Sequence, residues 1–155
     1  MYRGRGQGLE VLLVHPGGPL WKNKDAGAWT IPKGELEPDE EPLAAAQREL
    51  REELGLEAGG PFTPLTPVRQ KGGKVVQAWA FEGECDPSQI KCNTFSMEWP
   101  PRSGKFSEFP EVDRAEFFSL AAAEEKINPA QVPLLHELRN IIAKKPASPI
   151  RRAQN

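Results

Sequence analysis

Glu49, Glu52 and Glu53 stand at spacings of three and four residues in a chain of 155. On a helix that spacing puts three carboxylates on one face within about one turn. There they repel one another, and a solvated helix face tolerates such pairs at roughly 0.3 kcal/mol each. The same carboxylates can instead form an oxygen-ligand site for Mg²⁺ or Mn²⁺, which takes few protein ligands and keeps waters and phosphates for the rest. A bound cation relieves the repulsion. Two features favour the second reading: the opposite stripe of the helix is committed to a core, and the turn ahead of it carries Pro32, Lys33 and Gly34.

The helix that must position these carboxylates is legible. From Asp39 to Leu54, Leu43, Ala46, Leu50 and Leu54 recur every three or four residues, with Gly55 placed to end the helix. Leu9 to Val14 reads as a buried strand ended by His15-Pro16-Gly17-Gly18-Pro19, and residues 17 to 28 as a loop. Trp29 to Ile31 reads as a short extended piece, because Pro32 biases the residue before it away from helix. Strands are expected around Leu65 to Gln70, Val75 to Phe81, Thr94 to Trp99 and Glu111 to Phe118, with a hairpin turn at Gly72-Gly73 and a loop over 100–105. Ser119 can cap a short helix over Leu120 to Lys126. Asn128, with Pro129 behind it, starts a longer helix whose stripe is Val132, Leu135, Leu138 and Ile142. Strands interleaved with packed helices indicate an α+β sandwich.

Length places residues 1–145 in one domain, and 146–155 read as a flexible tail. The run Val11 to Val14 is far shorter than a membrane span or a signal-peptide core, so no membrane partner is expected and the chain reads as cytoplasmic. Cys85 and Cys92 read as reduced thiols, and His15 and His136 as surface or satisfied core residues. The net charge of −2 hides an asymmetry: residues 34–57 carry nine acids and two bases. Elsewhere bases are scattered without the dense stripe of a duplex-binding protein, so duplex nucleic acid is excluded and small polyanions remain as partners.

Taken together, Gly34, Glu40, Arg48-Glu49, Leu50, Glu52-Glu53, Gly55 and Leu56 fill every defined position of one pattern: glycine, five residues, glutamate, seven residues, Arg-Glu, an aliphatic, any residue, Glu-Glu, any residue, glycine, an aliphatic. This segment, 34–56, resembles the box of the Nudix family. The strand order, the Pro-Glu-x5-Phe-Phe run over 110–118 and the final helix are also similar to that family. The resemblance implies an α/β/α sandwich with a mixed central sheet. It further implies a hydrolase of phosphoric anhydride bonds in which Glu49, Glu52 and Glu53 hold Mg²⁺ or Mn²⁺, helped by the Gly34 carbonyl. Arg48 and Glu40 would orient these ligands. Glu49 or Glu111 would be the general base, with Glu108 behind them. A metal-bound water would attack phosphorus while the cation neutralises charge on the leaving oxygen.

The implied substrate is a small nucleotide in which a nucleoside diphosphate is linked to another moiety. Dinucleoside polyphosphates and nucleoside triphosphates lead, ahead of ADP-ribose and other nucleoside diphosphate sugars, with a non-catalytic nucleotide-binding module as the rival. Lys33, Arg102 and Lys105 are candidate phosphate contacts. Trp79, Phe81 and Trp99 could stack a base, although strand aromatics more often enter the core. One departure stands out: only Met1-Tyr2-Arg3 precedes Gly4 where Nudix domains begin with a strand, so that strand reads as truncated. An open edge along Leu9 to Val14 would be covered by a second copy or by residues 1–7, and the homodimer is the expectation.

Overall fold

The computed structural model describes residues 1–146, so all but the first residue of the tail expected at 146–155 lies outside the described residues. In chain order the strands are β1 (Tyr2–Arg3), β2 (Glu10–Pro16), β3 (Thr63–Arg69), β4 (Val75–Ala80), β5 (Thr94–Glu98), β6 (Phe106–Pro110) and β7 (Val112–Ser119). The helices are α1 (Pro42–Leu54), α2 (Leu120–Lys126) and α3 (Val132–Lys144).

Strand β2 organises the molecule. Its side chains alternate between two cores: Val11 and Leu13 pack with Trp29, Phe118, Leu135 and Leu138, whereas Leu12 and Val14 pack with Leu50, Leu54 and Phe81. A strand with an apolar layer on each face must be apolar throughout, which accounts for the unbroken run Val11–Val14. One layer contains α1 and the other α2 and α3, giving helices on both sides of the sheet. Every named strand pair is antiparallel: β1–β2–β7, β3–β4 and β5–β6. The parallel component is confined to the isolated bridges Tyr2–Glu82 and Trp29–Ile127.

The expected open edge is corrected. Tyr2 pairs with Val11 and Arg3 with Glu10, the Leu12 N–H donates to the Met1 carbonyl at 3.0 Å, and Val14 exchanges two 2.9 Å hydrogen bonds with Thr30. Two residues of strand and one bridge cover what a longer strand would cover, so the unpaired edge that motivated a homodimer is filled from within the chain.

Helix α1 begins at Pro42 rather than Asp39, because Asp39 has φ of 61° and cannot open a right-handed helix. At its other end Gly55, with φ of 67°, donates its N–H to the Arg51 carbonyl at 2.8 Å. Ala45 is buried where the periodicity predicted Ala46, which instead lines a cavity. Ser119 caps α2, and Asn128 caps a 3₁₀ turn, Pro129–Gln131, that leads into α3. Strand β6, in the stretch 106–110 that the sequence reading leaves without an element, completes a hairpin with β5. Buried His15 places its two ring nitrogens 2.7 Å from Asp113 and 2.6 Å from the Lys24 carbonyl, the satisfied-core alternative.

Candidate active site

Arg48 is the hub of the acidic face. Its Nε donates to Glu40 Oε1 at 2.8 Å and its Nη2 to Glu40 Oε2 at 3.0 Å, a two-pronged contact that only a planar guanidinium makes. Its Nη1 donates to Glu49 Oε1 and to Glu52 Oε2, each at 3.0 Å, and Nη2 also reaches the Glu35 carbonyl at 3.0 Å. One arginine therefore ties the 35–40 loop to the helix face and separates two of the three clustered carboxylates. It holds the Glu40 carboxyl down at about 2. Its own proton is bound more tightly than usual.

Glu53 lies outside this network. Its Oε2 is the one buried side-chain oxygen or nitrogen among the described residues with no hydrogen-bond partner. Burial, then the charges on Glu49 and Glu111, raise its carboxyl from an ordinary 4.5 to about 7, while a hydrogen bond to the Lys33 backbone pulls the other way. An orphaned, repelled carboxylate oxygen is what a cation binding there would satisfy, so the donor set fits a divalent metal. Among the described residues no three or more His, Cys, Asp or Glu side chains stand ready-clustered for a metal. Glu49 and Glu52 are both hydrogen-bonded to Arg48 Nη1 instead.

Gly34 lies against Glu49. A Cβ at position 34 would sit 1.8 Å from Glu49 Cδ and 2.1 Å from its Oε2, far inside contact distance. The Thr30–Val14 hydrogen bonds hold the approach to Pro32-Lys33-Gly34 on β2. Glu111 is fixed at its backbone, its carbonyl accepting from Gly17 at 3.0 Å and its N–H donating to Asn93 at 2.9 Å. Glu111, Glu53 and Lys33 line a small cavity of about 150 Å³.

A larger cavity of about 420 Å³ opens between α1 and β4. Lys33, Gly34, Glu35 and Glu49 line one part, and Lys74, Gln77 and Trp79 another. Trp79 thus faces a cavity, while Phe81 is buried against Phe62 and Trp99 sits at the β5–β6 tip. The structure brings Gly34, Lys33, Arg48, Glu49, Glu52, Glu53 and Glu111 together. Arg102 and Lys105 are exposed on the loop joining β5 to β6, and Glu108 is exposed on β6; none of the three lines either cavity. Sequence reasoning did not single out Lys74 or Gln77. The available signals were a lysine directly after the Gly72-Gly73 turn and an amide within an otherwise apolar strand.

Residues 1–138 match the family model described as NUDIX domain. The octanoyltransferase of Myxococcus xanthus is 32% identical over 99 residues, which are 64% of this chain and 24% of that protein. The CTP pyrophosphohydrolase of Escherichia coli (strain K12) is 37% identical over 60 residues, 39% of this chain and 44% of that protein. The chain spans less than half the length of these curated relatives. Among solved structures, a C. elegans Ap4A hydrolase binary complex aligns with a TM-score of 0.63 at 21% identity, covering 93% of this chain and 95% of that one. The E. coli ORF135 protein aligns with a TM-score of 0.54 at 26% identity, covering 95% and 90%. With the family match running from the first residue through the first half of α3 and a complete box on α1 and its flanking turns, the chain belongs to the Nudix family.

Proposed function

We propose that this protein is a divalent-metal-dependent pyrophosphohydrolase acting on a small nucleotide, a nucleoside triphosphate or a dinucleoside polyphosphate. The observation that carries the reading is the unpartnered Oε2 of Glu53, buried beside Glu49 and Glu111 and not drawn into the Arg48 network. Glu49, Glu52, Glu53 and the Gly34 carbonyl would hold the cation, Mg²⁺ or Mn²⁺. When bound, such an ion neutralises charge on the anhydride oxygens and lowers the pKa of water.

The chain's own residues do the rest. Arg48 keeps Glu49 and Glu52 oriented and anchors the Glu35 carbonyl, so the glycine turn keeps its place against the helix. Lys33 borders both cavities and offers its ammonium to a phosphate. Glu111 takes the proton from the attacking water. It is preferred over Glu49, whose Oε1 already accepts from Arg48, and over Glu108, which faces solvent. The relatives' printed activities, a CTP pyrophosphohydrolase and an Ap4A hydrolase, agree with a nucleotide polyphosphate as substrate.

The test is turnover of a panel of nucleoside triphosphates, dinucleoside polyphosphates and ADP-ribose with Mg²⁺ or Mn²⁺, with products identified by chromatography. Metal-dependent cleavage of an anhydride bond, lost in Glu53→Gln, is the expected result. No cleavage of any member, or full activity in Glu53→Gln, refutes the reading.

A further inference from the structure

Lys74 follows the turn that leads into β4, and its Nζ donates to Oε1 of Glu35 at 3.2 Å. It borders the larger cavity together with Lys33, which is the more enclosed of the two. Lys33 and Lys74 face one concavity whose other charged groups are the carboxylates of Glu35 and Glu49, and Glu49 is already bound by Arg48.

The anion now in contact with Lys74 is poorly held. The Glu35 side chain is 84% exposed and that of Lys74 52%, so solvent screens the pair and little free energy opposes its exchange. Glu35 nevertheless keeps its place over the cavity, because its backbone carbonyl accepts from Arg48 at 3.0 Å. A phosphate brings more charge and more acceptor oxygens than a carboxylate and competes well for an ammonium. Lys33 also lines the small cavity with Glu53 and Glu111, so the polar path runs from those carboxylates past Lys33 to Lys74.

Building on the pyrophosphohydrolase reading, we infer that Lys74 is a specificity-determining residue. It exchanges Glu35 for a phosphate beyond the one held near Lys33, and so favours substrates with a chain of three or more phosphates. Glu35 is the internal competitor for that position. An ion pair with a purely structural role has a different signature, since removing either partner then acts in the same direction.

The experiment compares wild type, Lys74→Gln and Glu35→Gln with Mg²⁺ present. For a nucleoside triphosphate or dinucleoside polyphosphate, Lys74→Gln should raise KM about tenfold with kcat little changed, and Glu35→Gln should lower KM about threefold. A nucleoside diphosphate sugar, which has only two phosphates, should respond weakly to both. Calorimetry with inorganic tripolyphosphate and pyrophosphate gives a readout without turnover: Lys74→Gln should weaken tripolyphosphate binding far more than pyrophosphate binding. Equal weakening of the two, or KM shifts of the same sign in both variants, overturns the inference. If wild type turns over no nucleotide, the pyrophosphohydrolase reading fails, and the calorimetry still decides whether Lys74 reads chain length.

Discussion

Replacing Glu53 by glutamine should make the protein's stability less sensitive to alkali while removing its proposed activity. In the folded chain the Glu53 carboxyl titrates at about 7 instead of the ordinary 4.5, so the native state holds the proton more tightly than the unfolded state. Its contribution is therefore favourable in acid and lost as pH rises through 7. The gap corresponds to about 3 kcal/mol by linkage, and the access of solvent from the adjoining cavity reduces this to about 2 kcal/mol. Glutamine has no charge to desolvate, although its amide inherits a buried position with no partner, at a cost of about 1 kcal/mol. In chelator, then, Glu53→Gln should be slightly the less stable protein at pH 5 and the more stable at pH 8, its relative stability rising by about 1 kcal/mol across the interval, because part of the wild-type contribution is already lost between 4.5 and 5. Urea unfolding at several pH values measures this directly. Added Mg²⁺ should narrow the difference at pH 8, because a cation at Glu53 relieves the wild type alone. A stability difference that stays constant from pH 5 to pH 8 refutes the assignment of an unpartnered, repelled carboxylate.

Other expectations follow from the same geometry. Arg48→Lys keeps the charge and cannot span Glu40, Glu49, Glu52 and the Glu35 carbonyl together, so kcat/KM should fall on the order of a hundredfold and thermal unfolding should shift to lower temperature in calorimetry. Excess chelator should abolish nucleotide turnover, and Mg²⁺ or Mn²⁺ should restore it; undiminished turnover in chelator would remove the metal from the reaction. Glu57→Gln removes a carboxylate that is 79% exposed and only 3.8 Å from Arg51 at its nearest, so steady-state kinetics should match wild type within about twofold. Glu52→Gln, on α1 itself and bound by Arg48, should not match.

What was legible in the sequence was what is local. The spacing of Glu49, Glu52 and Glu53, the Gly55 terminus and the Ser119 and Asn128 caps depend on neighbours within four residues, and the structure contains each. Strand β6 was missed because Phe106–Pro110 has a weak apolar alternation, with Phe106 69% exposed, and its pairing is set from across the hairpin by Thr94–Glu98. For the edge of β2 the second copy was expected ahead of local cover by residues 1–7. The structure has the local cover through Met1 and Tyr2, joined by Thr30, whose approach from the far side of the 17–28 loop has no local signal. The same holds for the cavity. Val75, Gln77 and Trp79 share one side of β4, and only packing against α1 turns that side into the wall facing Glu49.

The closeness of Gly34 to Glu49 ties the placement of one side chain to a position fifteen residues away in the chain. With the Glu49 side chain where it is, any residue other than glycine at 34 meets its Cγ at 2.3 Å, its Oε2 at 2.1 Å and its Cδ at 1.8 Å. Shortening Glu49 to aspartate does not clear the space, because the carboxyl carbon would then occupy the place of that Cγ. A saturation library at position 34 should therefore yield folded survivors only where the residue at 49 turns away or loses its γ atom, and those survivors give up a carboxylate that Arg48 holds in place. The coupling runs one way: a side chain at 34 displaces the Glu49 carboxylate from its place beside Arg48, whereas a smaller residue at 49 leaves Gly34 undisturbed.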